Sequence, residues 1–190
     1  MKKFLVSTLI VASLISIFGC SSLTAIAPKF PYDLMIGLYD LPKGFEHVNG
    51  EFPEVEGGAS HFVTYSKNKN EFGELVSHQI TIYPSSEIAK DKYPDWIDQW
   101  TISSWIETSE IKFTPKDTAD TFTLKCLDGI VNNSPMKSCR FIQLHKNLIV
   151  LILVNFGANT ISYTEFEEVL VKLDQRLPSE EINFSKLVNE

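Results

Sequence analysis

Two runs of alternating side chains in the first half of the chain predict a β-hairpin. In residues 60–66 and again in residues 74–83, every second position carries a large or apolar side chain. This period of two is typical of a strand with one face in a core, and a polar stretch containing Asn70 joins the two runs. If the turn centres on Asn70, His61 and His78 lie opposite each other across the hairpin.

Three further strands are predicted in the second half, over residues 121–130, 137–145 and 148–155. The last run is apolar at every position from Leu148 to Val154. A strand of this kind has both faces covered. We therefore expect it near the middle of a sheet.

Between these two groups of strands, the spacing of apolar residues predicts a helix that begins after Ser85 or Ser86, either of which can act as its N-cap. A period of 3.6 residues places one set of side chains on a single face, and these are Ala89, Tyr93, Trp96, Ile97 and Trp100. Pro94 is expected to kink this helix or to divide it in two.

The last helix is predicted from an apolar stripe and from end signals. Thr164-Glu165-Phe166-Glu167 fits a capping box, and Pro178 is expected to end the helix. The stripe consists of Phe166, Val169, Leu170, Leu173 and Leu177. Residues 179–190 are predicted to be a polar, frayed tail.

The run Leu34-Met35-Ile36-Gly37-Leu38 is a further candidate, as a first strand. The order strands, helix, strands, helix predicts the α+β class, with an antiparallel sheet of about six strands and two main helices packed on it. The order is similar in outline to that of the PsbP/Mog1-like sandwich domains. This resemblance concerns element order alone and transfers no site residue. We expect one domain over residues 34–178, preceded by a proline-containing tether over residues 20–33.

The N-terminus has the layout of an export signal. Lys2 and Lys3 precede an apolar stretch over residues 4–18, and Gly19-Cys20 follows it. A charged start, a short apolar segment and a small residue at the junction are typical of a secretory signal peptide, and the segment is short for a membrane span. Residues 1–19 are therefore expected to be removed.

Ile17-Phe18-Gly19-Cys20 resembles the lipobox of bacterial lipoprotein precursors, in which the chain is cut before the cysteine and the cysteine is acylated. The resemblance implies that Cys20 carries the lipid and that the membrane is a partner of the protein. In lipoproteins of Gram-negative bacteria, Asp after the cysteine marks retention at the inner membrane. Ser21 stands there instead, which implies the outer membrane, with the domain facing the periplasm.

The charge of the chain argues against nucleic acid as a partner. Without residues 1–19 the chain has 15 Lys and Arg residues against 24 Asp and Glu residues, a formal charge of −9. A surface of this sign repels phosphate backbones, and no cluster of basic residues offsets it.

Cys126 and Cys139 are the two cysteines that remain after Cys20. An even number of cysteines in an exported chain predicts a disulfide, because the compartment is oxidising. The alternatives are a redox pair or half of a metal site, but the spacing does not match the CxxC pattern of such sites.

His61 and His78 are the residues that could hold a metal ion. Two imidazoles facing each other could do so if Glu51 or Glu74 came near as a third ligand. The alternative is a half-buried pair of histidines at the margin of the sheet without chemical activity.

Trp105 is the predicted exposed aromatic residue, because it lies off the helix face that carries Tyr93, Trp96 and Trp100. Exposed aromatic rings are common in recognition sites. The helix face itself is expected to pack on the sheet, although an exposed version of it could contact a partner or a glycan.

Taken together, these features predict a membrane-anchored envelope lipoprotein that acts as a non-catalytic binding module, for another envelope protein or for a small envelope ligand, with no cofactor. The competing hypothesis is a metal-dependent hydrolase using His61 and His78. A purely structural lipoprotein is a third alternative. No phosphate-binding glycine loop, HExxH motif or GxSxG motif is present in the sequence.

Overall fold

A seven-stranded antiparallel sheet forms the centre of the computed structural model, which describes residues 30–67, 75–115, 121–131, 134–157 and 160–188. The predicted signal segment, Cys20 and Glu74 lie outside these ranges. The strands are β1 (Glu46–Glu51), β2 (Ala59–Ser66), β3 (Leu75–Ile82), β4 (Ile106–Glu107), β5 (Thr121–Val131), β6 (Ser134–His145) and β7 (Leu148–Phe156). The helices are α1 (Ser86–Trp100), α2 (Tyr163–Arg176) and α3 (Ser185–Val188). Within the described ranges, no helix has the length and apolarity needed to cross a membrane.

The strands are ordered β1-β2-β3-β7-β6-β5-β4, so the two halves of the chain meet where β3 pairs with β7. The α+β prediction is confirmed, and five of the predicted strands correspond to β2, β3, β5, β6 and β7. The candidate strand over residues 34–38 is not one, because a 3-10 helix (Tyr32–Leu34) ends there and a turn closed by Gly37 and Asp40 follows. The edge strands β1 and β4 were not predicted. All residues of β1 are exposed and β4 has two residues, so neither carries the alternation that identifies a half-buried strand.

Strand β7 is covered on both faces, as its apolar sequence predicts. Val150 and Ile152 point into a core that contains the apolar stripe of α2. Ile149 and Leu151 point into a second core on the other face of the sheet, against α1. The helices therefore lie on opposite faces of the sheet.

Helix α1 begins at the predicted cap, where the Ser85 side chain accepts a hydrogen bond of 3.3 Å from the amide of Ile88. Pro94 does not divide the helix in two, because α1 continues as one helix through it. Pro94 leaves the carbonyl of Lys90 without its helical donor. Both residues are exposed, so water can satisfy that carbonyl.

Helix α2 begins two residues earlier than predicted. Ser162 is the N-cap and Glu165 completes the capping box, whereas Thr164 already lies inside the helix. The backbone of Ser162 is extended, which an N-cap requires, and its hydroxyl accepts from the amide of Glu165 at 3.2 Å. The predicted stripe is buried except for Leu177, which is partly buried.

The folded body extends past both predicted boundaries. Phe30, placed in the tether, is 3% exposed and belongs to the core. The segment after Pro178 is not a frayed tail as far as it is described, because Leu187 is buried. The Asn147 side chain also holds this segment, donating to the Ile182 carbonyl at 2.8 Å and accepting from the Ile182 amide at 2.9 Å.

An ion pair joins the N-terminal segment to α2. The Asp40 carboxylate, 2% exposed, accepts hydrogen bonds from both terminal nitrogens of Arg176 and from the Gly37 amide at 2.8 Å. Arg176 also donates to the carbonyl of Met35 at 3.2 Å. This pair fixes the segment before β1 against the α2 core.

We expect Arg176→Met to lower the free energy of unfolding by roughly 3–5 kcal/mol, because it leaves the buried Asp40 carboxylate without its cation. Denaturant unfolding followed by circular dichroism measures this. Lys90→Met, at an exposed position of α1, is the matched control and should change stability by less than about 0.5 kcal/mol. A loss of under about 1 kcal/mol in Arg176→Met would show that the pair does not hold the segment.

Candidate functional site

Cys126 and Cys139 form a disulfide between β5 and β6, where they are direct partners with Cα atoms 4.1 Å apart. The bond joins residues 13 positions apart in the chain. A loop of about this length is worth about 3 kcal/mol in the chain-entropy model. Both cysteines are buried in the core on the α2 face, and this position indicates a structural bond.

The two histidines do not oppose each other as predicted. His61 pairs with Ile80, and His78 pairs with Val63, so the register differs by two residues from a turn centred on Asn70. A shift of two residues keeps both side chains on the same face of the sheet. They are therefore diagonal neighbours.

His78 is fully buried and has a structural partner. Its Nδ1 accepts a hydrogen bond of 3.0 Å from the amide of Ile36, and its Nε2 has no hydrogen-bond partner in the described part of the chain. Burial lowers the pKa of His78 to about 3, and the neighbouring charge of Arg176 adds to this effect. The imidazole is therefore neutral at any pH well above 3.

His61 lies in an aromatic cluster rather than among metal ligands. Its ring centroid is 4.5 Å from that of Phe52, 5.1 Å from that of Tyr32 and 5.5 Å from that of Phe30. Burial lowers the pKa of His61. Among the described residues, no group of three His, Cys, Asp or Glu side chains is placed to hold a metal ion.

Trp105 is half-buried, and not the exposed platform that was predicted. The guanidinium carbon of Arg140 lies 4.7 Å from the centre of its ring. This cation–π contact covers one face of the indole. Its position beside the short strand β4 was not visible in the helical pattern, which showed only that Trp105 leaves the face of α1.

Two hollows of the structure lie beside the loop over residues 52–58. A bridge between Val55 and Gly58 closes it, and Gly57 takes a left-handed backbone conformation with φ of 72°. A Cβ atom on Gly58 would come within 2.8 Å of Thr81, so glycine allows the loop to approach the sheet closely. Lys92 of α1 pairs with Glu56 at 3.0 Å.

An open groove of about 960 Å³ lies on one side of this loop. We call it the Phe52 groove; it is lined by residues 52–60, Pro84, Phe184 and Leu187. The C-terminal segment, which was predicted to be frayed, thus supplies one of its walls.

A smaller pocket of about 310 Å³ lies on the other side of the loop, against α1 and β3. We call it the Trp100 pocket; it is lined by residues 53–56, Gln79, Tyr83, Lys92, Asp95, Trp96, Gln99 and Trp100. Small-molecule sites have volumes of about 300–1,000 Å³ and combine apolar walls with a few polar groups. Both hollows have a volume in this range, and the Trp100 pocket also combines apolar walls with polar groups.

Aromatic side chains form a hydrogen-bonded wall in the Trp100 pocket. The indole Nε1 of Trp96 donates to the hydroxyl of Tyr83 at 2.9 Å. Burial raises the pKa of Tyr83, so the phenol keeps its proton. The indole Nε1 of Trp100 is shielded from solvent and has no hydrogen-bond partner among the described residues.

The sequence predicted only part of this site. The packing of Tyr93 and Trp96 on the sheet is confirmed, since both are buried. Gln79, Tyr83 and the 52–58 loop were not identified as site residues. The loop's Gly, Pro and Glu residues give no periodic signal, and its contact with α1 joins residues 36 positions apart.

Another cavity, of about 610 Å³, lies where β7 ends and α2 begins. Its charged side chains bind one another. Lys137 forms ion pairs with Glu110 and, at 3.5 Å, with Asp128. The Glu110 carboxylate raises the pKa of Lys137. These contacts give the cluster a role in joining the strand ends, and we do not treat it as the primary site.

The comparisons with known proteins identify a fold and no family. No protein-family model matches the chain. No curated protein matches it in sequence. It is similar to the crystal structure of the extracellular domain of PknH from Mycobacterium tuberculosis, with a TM-score of 0.53 and 8% identity, over 75% of this chain and 93% of that one. At this identity the likeness shows a shared fold alone.

The pKa of His78 predicts how stability depends on pH. Below pH 6.5 residue 78 is protonated in the unfolded chain, whereas in the folded protein it becomes protonated only at about pH 3. The titration of His78 therefore does not affect the free energy of unfolding above pH 6.5. Its burial lowers that free energy by about 1.4 kcal/mol per pH unit as the pH falls from 6.5 towards 3.

We expect His78→Asn, whose side-chain oxygen can accept from the Ile36 amide, to remove this slope between pH 6 and about pH 4. The measurement is the free energy of unfolding at a series of pH values. His47→Asn, at an exposed position of β1, should follow the wild-type slope. Equal slopes for His78→Asn and the wild type would contradict the assignment.

Proposed function

We propose that this protein is a lipid-anchored lipoprotein of the bacterial cell envelope, and that its domain is a non-catalytic binding module with the 52–58 loop at its ligand site. The anchor is proposed from the leader sequence and from the lipobox-like residues that end at Cys20. The binding function is proposed from the cavities beside the loop.

The observation that carries the binding function is the placement of the 52–58 loop between two hollows. One wall of each hollow is the loop, and the other walls come from α1 and from the C-terminal segment. The loop is tied to the sheet at Gly58 and to α1 through Glu56. Such a concave site, largely formed before the ligand arrives, is typical of small-molecule binding.

Two further features support an exported domain. The Cys126–Cys139 disulfide suits an oxidising compartment. The solved structure with the similar fold is described as an extracellular domain. With Ser21 after Cys20, we propose the outer membrane as the location and the periplasm as the compartment that the domain faces.

The hydrolase alternative has less support. One nitrogen of His78 already accepts the Ile36 amide, and His61 is surrounded by aromatic rings. A catalytic zinc site needs three protein ligands and an open position for water. The described residues supply two staggered imidazoles without a third ligand.

We expect Cys20→Ser to release the protein from the membrane fraction, because the acylated thiol is the proposed anchor. Fractionation of cells followed by immunoblotting measures this. Ser21→Asp is the companion variant and should remain membrane-bound but move to the inner membrane. Membrane association of Cys20→Ser equal to that of the wild type would refute the lipid anchor.

Native mass spectrometry of the full-length protein, gently extracted from its own membranes, tests the binding function. We expect a retained non-covalent mass of a small molecule in the wild type. Gly58→Ala should reduce its occupancy severalfold, because the new Cβ forces the loop away from Thr81. Gly129→Ala, whose Cβ would meet its nearest atom at 4.0 Å, is the matched control.

A bare chain at the expected mass would argue against a tightly held ligand. A retained second protein in place of a small molecule would replace the proposed ligand site by a protein interface.

A further inference from the structure

The Trp100 pocket carries more chemical information than the Phe52 groove, because its polar groups are specific. Trp96 is buried in the α1 core, and the half-buried Trp100 follows it by four residues on the same side of α1. Trp100 therefore lies one helical turn beyond Trp96. The pocket thus has an aromatic wall with an apolar surface.

A hydrogen-bond donor lies on this wall. The Tyr83 oxygen accepts from Trp96, so the hydroxyl hydrogen of Tyr83 is left to donate. A ligand oxygen beside this hydroxyl would accept that hydrogen. The Trp100 Nε1–H is shielded from solvent, so Trp100 offers the pocket its ring face and not this donor.

Acceptors and amides lie around the same pocket. Asp95 supplies a carboxylate, and Gln79 and Gln99 supply amides that can both donate and accept. The Gln79 side chain is buried and oriented by a hydrogen bond of 2.8 Å to Ser60. A ligand that fits this set has groups that donate and accept at once, as hydroxyls do.

The charges of the pocket exclude an anionic ligand. Glu54, Glu56 and Asp95 line it, and Lys92, the cation among the described residues of its lining, already pairs with Glu56. Phosphates and acidic sugars would meet uncompensated like charge. A wholly apolar ligand would leave the donors unpaired.

We propose that the Trp100 pocket binds an uncharged pyranose sugar unit of an envelope glycan, with one apolar face of the ring on the Trp100 indole and its hydroxyls on Tyr83, Asp95 and the glutamines. The inference rests on the proposed binding function and names its ligand class. A volume of about 310 Å³ suits a single sugar unit at the end or along the edge of a chain.

Titration calorimetry on the full-length protein, in a detergent without a sugar headgroup, tests this proposal. The probes are the trisaccharide of N-acetylglucosamine, maltotriose and the trisaccharide of galacturonic acid. We expect one of the two uncharged probes to bind with a Kd below about 1 mM, and the anionic probe to bind at least about tenfold more weakly. Preference for the acetylated probe indicates a cell-wall glycan, and preference for maltotriose indicates a glucose polymer.

A matched pair of tryptophan variants places the ligand. Trp100→Phe replaces the indole by a smaller ring and so reduces the face on which the sugar ring is placed, and we expect affinity for the uncharged probe to fall by about threefold. Trp105→Phe changes an indole outside the pocket and should leave affinity unchanged. In proton–nitrogen NMR spectra of the full-length protein, the indole signal lost in Trp100→Phe should shift with the probe, and the Trp105 signal should not.

Failure of all three probes to bind, or stronger binding of the anionic probe, would overturn the sugar proposal. If the native mass spectrum still shows a retained small molecule, the binding function stands and only the ligand class is wrong. If it shows a bare chain, both proposals fall. Equal affinity of Trp100→Phe and the wild type would remove the Trp100 pocket as the site.

Discussion

The strand β7 imposes the constraint on which the rest of the structure depends. It lies in the middle of the sheet, and its side chains are apolar on both faces, so neither face can be left in water. Helix α2 covers one face and helix α1 the other. The 52–58 loop then contacts α1 on the second face, through the ion pair of Glu56 and Lys92.

Side-chain periodicity was enough to predict the strands and helices that build the core, and it was not enough to predict register. The faces of β2 and β3 are set by their alternation, and a shift of one residue would have reversed them. A shift of two residues keeps every side chain on its face. The hairpin pattern therefore could not distinguish a register in which His61 faces His78 from the observed one, in which His61 faces Ile80.

The parts that sequence patterns missed depend on contacts between distant residues. The C-terminal segment is polar in sequence, yet Asn147 holds it through Ile182, 35 residues away. The 52–58 loop lies close to the sheet where Gly58 meets Thr81, and its Glu56 forms an exposed ion pair with Lys92 of α1. Local sequence rules predict turns and caps, although they placed the α2 cap two residues too late. They do not predict which strand a loop will contact.

The entry of the chain into the core at Phe30 has a consequence for where the 52–58 loop can lie. If Cys20 holds the lipid, only residues 20–29 separate the bilayer from the first described core residue, and a chain of ten residues extends to about 35 Å at most. Phe52 begins the loop, and its ring lies 6.4 Å from that of Tyr32, beside this entry point. In that case the proposed ligand site would lie close to the bilayer surface. The short tether would then limit the ligands that the protein can reach to those near the membrane.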